Sequence, residues 1–152
     1  MIQIKSKEDI EQQRISALKV GDTLAEVSKY IKPGVTTAYL DKIAEQYILD
    51  MGGVPTFKGY CGYPASLCIS INEVVVHGIP GKREIKEGDI VSIDCGVTYK
   101  GWVGDSAYTF ALKGVSEEVS QLLKVTKQSL YHGIDKCKIG QRAGDLSNCI
   151  QT

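Results

Sequence analysis

Apolar residues early in the chain recur with a helical rhythm: Ile10, Ile15, Leu18, Val20, Leu24, Val27 and Ile31. Ser6, followed by Glu8 and Asp9, supplies a hydroxyl cap and an acidic first turn, and Pro33-Gly34 stops the pattern. A second helix opens at Thr36 or Thr37 and runs through Leu40, Ile43, Ala44, Tyr47 and Ile48 to Gly52-Gly53. The period then changes. From Val54 to Ile79 the chain is rich in Gly, Tyr, Pro and β-branched residues, and Leu67–Ile71 and Val74–Val76 read as short strands. Asp89 to Val97 and Trp102 to Ala111 read as two strands joined by a hairpin at Tyr99-Lys100-Gly101. Helix returns from Ser116, with Glu117 and Glu118 in its first turn, through Val119, Leu122, Leu123, Val125 and Leu130. Gly140 breaks it, and another helical stretch begins near Ala143 or Asp145.

The 152 residues amount to about one domain. The composition, 43% hydrophobic and 24% charged, is that of an ordinary globular protein. Eighteen basic residues balance eighteen acidic ones, which argues against a nucleic-acid partner held by phosphate contacts. No apolar run approaches the roughly 20 residues of a membrane span. The stretch Met1 to Lys7 lacks the apolar core of a secretory signal. The five cysteines, Cys61, Cys68, Cys95, Cys137 and Cys149, form no CxxC pattern and read as reduced thiols in a cytoplasmic protein. Lys32-Pro33-Gly34-Val35, with Leu40 and Ile43, is echoed by Lys138-Ile139-Gly140-Gln141, with Leu146 and Cys149. Each copy follows an amphipathic helix, so the chain reads as one complete repeat and the opening of a second.

The hairpin has candidate chemistry. A two-residue turn at Lys100-Gly101 sets Asp94 opposite Ala107 and Asp105 opposite Gly96, so both aspartates share a face as diagonal neighbours about 7–8 Å apart. Two carboxylates so placed need a cation or a proton to coexist. Mn, Fe, Co and Zn accept such oxygen ligation, and ions about 3.5–4 Å apart suit a two-metal hydrolase. A polar strand face turned to water would carry the same residues; against it, Asp94 ends the buried-looking run Ile90-Val91-Ser92-Ile93. His77, between Val74-Val75-Val76 and Gly78-Ile79-Pro80, is delivered by a strand to a turn, either as a structural hydrogen-bonder or as a catalytic group. His132 reads as exposed on a helix.

These segments resemble a known family. Cys68-Ile69-Ser70-Ile71-Asn72-Glu73-Val74-Val75-Val76-His77-Gly78-Ile79-Pro80 is similar to the signature segment of type I methionine aminopeptidases. Gly88-Asp89-Ile90-Val91-Ser92-Ile93-Asp94-Cys95-Gly96 and Gly104-Asp105-Ser106 resemble their metal-ligand strands. Gly59-Tyr60-Cys61-Gly62-Tyr63-Pro64 and Lys32-Pro33-Gly34-Val35 agree as well. The likeness runs from about Lys5 to the last residue.

The resemblance implies the N-terminal half of an α+β pita-bread fold, an antiparallel sheet covered on one side by helices. Residues 1–152 would be one domain, with about 135–152 opening the second pseudo-symmetric repeat. It implies metal-dependent removal of the initiator methionine from peptide and nascent-protein N-termini, in the cytoplasm and near the ribosome. The implied cofactors are two divalent ions (Co, Mn, Fe or Zn) and, in some members, a monovalent cation on backbone carbonyls at Asn72 and Val74. Asp94 would be a bidentate metal ligand and Asp105 a bridging one. His77 would hydrogen-bond the scissile peptide, and Phe57, Tyr60, Tyr63 and Cys68 would line the methionine side-chain pocket, where thiol and aromatic edges suit a thioether. A histidine and two glutamates complete the family's ligand set from the second half; here Glu117, Glu118, Asp135 and Asp145 match no ligand motif. The chain alone is therefore expected to be inactive. A catalytically silent pita-bread binding module is the alternative, though such proteins lose the ligands kept here at Asp94 and Asp105.

Overall fold

The Ser6 hydroxyl accepts from the Asp9 N–H while the Asp9 carboxylate accepts from the Ser6 N–H, a reciprocal cap that starts α1 (Lys7–Ser28). This is a computed structural model that describes residues 4–151; the part of the N-terminal reading that falls on residues 1–3 lies outside them. Helix α1 buries Ser16, Val20, Thr23, Leu24 and Val27, whereas Ile10 and Leu18 lie off that face and are exposed. Gly34, at φ +85, turns the chain into α2 (Thr37–Asp50), whose cap is Thr36. The chain forms two units, the first ending at Gly114 and the second beginning at Val115.

In the first unit β3 (Ile90–Tyr99) is the spine of a four-stranded antiparallel sheet. Along one edge it pairs over its whole length with β4 (Trp102–Ala111). Along the other it meets β2 (Leu67–Ile71) and then the short β1 (Val54–Pro55). Alternation decides the faces. Val91, Ile93, Cys95 and Val97 join Leu67, Ile69 and Ile71 in one core with Val20, Leu24, Val27, Leu40, Ala44 and Ile48 of α1 and α2. Asp94 and Gly96 consequently lie on the opposite face, away from α1 and α2. Gly104 lets α1 settle on β4: an added Cβ would stand 2.5 Å from the backbone of Ser16 and Ala17, and the Ser16 hydroxyl donates to the Trp102 carbonyl at 2.9 Å.

Val74–Val76, expected as a strand, is not one. Asn72 adopts φ +53 and ends β2 there. Its side-chain amide donates to Asp89 at 2.8 Å, and its carbonyl oxygen accepts from the Ile90 N–H at 3.0 Å. This turn carries the three valines off the sheet, and Val75 is 86% exposed. His77 is thus delivered by an irregular strap and not by a strand.

In the second unit Ser116 caps α3 (Glu117–Lys136), which packs against α4 (Ala143–Gln151). Gly133 allows the contact, since an added Cβ there would lie 3.1 Å from Leu146. Gly140, at φ +92, sits in the connection, as Gly34 does between α1 and α2.

Candidate active site

The β3–β4 register fixes the acidic pair. Lys100 and Gly101, at φ +49 and +83, form the two-residue turn, and Asp94 pairs with Ala107 and Asp105 with Gly96, as the hairpin parity predicted. Across the other edge of β3, Cys68 stands opposite Asp94. Burial pushes the Asp94 carboxyl above its usual range, and the neighbouring Asp105 adds to this by its charge and by accepting a hydrogen bond from the protonated form. The His77 imidazole and the Cys95 N–H oppose that shift in part.

The two aspartates form the floor of a cavity of about 600 Å³, whose walls include Phe57, Tyr60, Tyr63, Cys68 and His77. Residues chosen from separate stretches of sequence therefore share one concavity. Gly96 makes room for Phe57, whose Cε1 would be 2.6 Å from an added Cβ. Tyr60 is largely exposed at the rim, in a single 3-10 turn with Cys61 at φ +49. Tyr63 is inside. Its hydroxyl lies 3.0 Å from the Leu67 carbonyl and 3.1 Å from that of Gly78, and burial pushes its pKa up. Burial likewise raises the Cys68 thiol, outweighing a hydrogen bond from Tyr63 that favours the thiolate.

His77 has φ +59, a left-handed conformation uncommon outside glycine. Gly78 follows it, and a Cβ on Gly78 would fall 2.2 Å from the Ile69 carbonyl oxygen. Asn72 and Val74 lie in the turn after β2, their N–H groups donating to Ile90 and Ile71 carbonyls, and neither lines the cavity.

Sequence reasoning missed several neighbours. Cys61 and Ile79 also line the cavity; only their adjacency to Tyr60 and His77 could have pointed to them. Asp41 of α2 accepts from the backbone N–H groups of Ser66 and Leu67 at 3.0 and 2.8 Å, fixing the start of β2 just before Cys68. Asp89 is buried and ties Asn72, the Lys86 N–H and Arg83 together. Neither role has a local sequence signal.

The donors at Asp94 and Asp105 are two oxygen ligands of like charge, which fits a hard or borderline divalent cation. Among the described residues no group of three or more His, Cys, Asp or Glu side chains forms such a site. The pair can therefore supply part of a coordination shell. No helix among the described residues is long and apolar enough to cross a membrane.

Residues 11–152 match the model of metallopeptidase family M24. The chain is similar to the methionine aminopeptidase of Clostridium acetobutylicum, with 51% identity across 99% of this chain and 61% of the relative. It is also similar to methionine aminopeptidase 1 of Bacillus subtilis, with 45% identity across 100% of this chain and 61% of the relative. Among solved structures, methionine aminopeptidase from Rickettsia prowazekii superposes with a TM-score of 0.97 at 34% identity, over 99% of this chain and 61% of that one. Prolidase from Pyrococcus furiosus, at 19% identity and a TM-score of 0.83 over 97% of this chain and 42% of that one, shares the fold. The fold is accordingly that of the pita-bread proteins, and the chain spans about three-fifths of the length of the curated relatives it matches.

Proposed function

Since the chain belongs to metallopeptidase family M24, we propose that it is part of a methionine aminopeptidase that removes the initiator methionine from peptides and nascent proteins in the cytoplasm, close to the ribosome. The observation that carries this reading is the convergence of Phe57, Tyr60, Tyr63, Cys68 and His77 on one cavity floored by Asp94 and Asp105. Aromatic edges and a protonated thiol make a slot suited to a thioether side chain. Asp94 and Asp105 would hold two divalent ions, of Co, Mn, Fe or Zn, which when bound polarise a carbonyl and acidify water. The side-chain slot fixes the first residue of the substrate, and the His77 imidazole reaches its peptide as a hydrogen-bond partner. A monovalent cation on the Asn72 and Val74 carbonyls belongs to the same reading.

The remaining ligands would come from a second half of the fold, which the stretch of about 135–152 would open. Gly34 and Gly140 support this: each is left-handed between two packed helices. The chain alone should then be inactive.

The test is complementation. This chain is mixed with the segment of the Clostridium acetobutylicum relative that lies beyond the matched residues, and a Met-Ala-Ser peptide is assayed with Mn or Co. Methionine release is expected from the mixture, from neither part alone, and not with Asp94→Asn. A mixture that is folded, binds metal and releases nothing would leave a silent binding module in its place.

A further inference from the structure

The backbone on both sides of Gly78, just after His77, is held by several hydrogen bonds. The Gly78 N–H donates to the Ser70 hydroxyl at 3.1 Å. The Gly78 carbonyl accepts from the Ile69 N–H at 2.8 Å and lies 3.1 Å from the Tyr63 hydroxyl, which also reaches the Leu67 carbonyl at 3.0 Å. Both backbone polar groups of one irregular residue are thus held by β2, the N–H by Ser70 and the carbonyl by the Ile69 N–H, with the Tyr63 hydroxyl beside the carbonyl as well. Gly78 also lies against β2 so tightly that no side chain fits. Ser70 is 4% exposed and otherwise faces Ser92 across the β2–β3 ladder, so its hydroxyl has a specific partner in the strap.

A left-handed backbone at a non-glycine residue persists only where its surroundings over-determine it. His77, at φ +59, is such a residue, and it follows a segment, Val74 to Val76, that no strand ladder supports. The restraint comes from the C-terminal side. Tyr63 and Ser70 approach Gly78 from different elements: Tyr63 follows the 3-10 turn at the rim, and Ser70 belongs to β2. The Ser70 hydroxyl holds the N–H of the His77–Gly78 peptide and the Tyr63 hydroxyl reaches the carbonyl of the following Gly78–Ile79 peptide, so Gly78 is restrained on both sides, and with it the backbone from which the imidazole projects.

We propose that Tyr63 and Ser70 are positioning residues for His77: their hydroxyls hold the two peptides that flank Gly78, and so keep the imidazole in the cavity it shares with Asp94 and Asp105. This rests on the peptidase reading only for the task His77 performs. It gives Tyr63 a second role beside that of cavity wall, and gives Ser70, which does not line the cavity, a role in the site.

The test uses the isotope-labelled chain itself and reads no turnover, so its outcome and that of the complementation assay are independent. The chain has two histidines, His77 and His132, so the imidazole signals are readily assigned by nuclear magnetic resonance. Tyr63→Phe keeps the ring and removes the hydroxyl; Ser70→Ala removes the other anchor. In each variant the Ile69 and Gly78 amides should exchange with solvent at least tenfold faster. The His77 imidazole signals should shift or broaden as the ring loses its fixed place beside Asp94 and Asp105, while the amides of Ile93 and Ser106 keep their protection. Unmoved His77 signals in either folded variant overturn the clamp, whatever the amides do. Loss of protection throughout the core in Tyr63→Phe overturns it equally, because the hydroxyl would then hold the sheet and not the turn. Should Ser70→Ala not fold, Tyr63→Phe alone decides.

Discussion

Phe57 lies over Gly96, its Cε1 placed 2.6 Å from where a Cβ would be, and Gly96 is the residue paired with Asp105 across the β3–β4 ladder. A methyl group at 96 must displace the ring, which can swing into the cavity. Gly96→Ala should therefore destabilise the chain by about 1–3 kcal/mol, at the lower end of that range. Urea unfolding checks the number, and an unchanged midpoint would mean that Phe57 is not seated there.

Gly104 makes a harsher contact. The atoms that a Cβ would meet, at 2.5 Å, are backbone atoms of Ser16 and Ala17 in α1, and these cannot rotate aside. Gly104→Ala should cost about 3 kcal/mol or more, since the helix must lift from β4 as a body. The ordering is the sharper test: Gly104→Ala must be the worse of the two substitutions in the same urea experiment.

Asp89 links acid sensitivity to the β2–β3 junction. Burial alone would raise its carboxyl pKa, but the Asn72 amide, the Lys86 N–H and the charges of Arg83 and Lys86 outweigh burial and hold it below its ordinary 3.8. A carboxyl whose folded pKa is depressed contributes stability above its unfolded value and loses it as pH falls through the folded value. The loss should therefore fall below about pH 3.8. Asp89→Asn should be less stable than the parent at pH 6, and the gap should narrow toward pH 3. Parallel stability curves for the two proteins would refute the linkage.

The Asp94–Asp105 pair predicts opposite effects with and without metal. In EDTA the two carboxylates repel, and Asp94→Asn, which removes one charge, should raise the melting temperature. With millimolar Mn the parent should gain stability by mass action and the variant should gain less. A variant less stable than the parent in EDTA would show that Asp94 holds the fold together by some other contact.

The hairpin and its acidic pair were legible because strand period and a two-residue turn are local quantities, and together they determine which side chains share a face. The caps at Ser6, Thr36 and Ser116 were legible for the same reason. Val74–Val76 was misread because β-branched residues carry the strand signal wherever they stand. The deciding event is Asn72 turning to bond Asp89 and Ile90, a contact across 17 and 18 positions that no local pattern contains. Asp41 and Ser70 were missed on similar grounds: each acts on backbone groups of another segment, and backbone groups have no residue-type signature.

The turn at Lys100-Gly101 also limits how this gene can change. Surface loops ordinarily absorb insertions and deletions with little consequence. Here one codon gained or lost between Tyr99 and Trp102, with no bulge to absorb it, would shift the β4 pairing by one position and flip every β4 side chain, sending Asp105 to the helix side of the sheet and taking Gly104 away from α1. Length variation at this loop should therefore be confined to even steps or to an added bulge, although the loop lies far along the strand from the carboxylates it aligns.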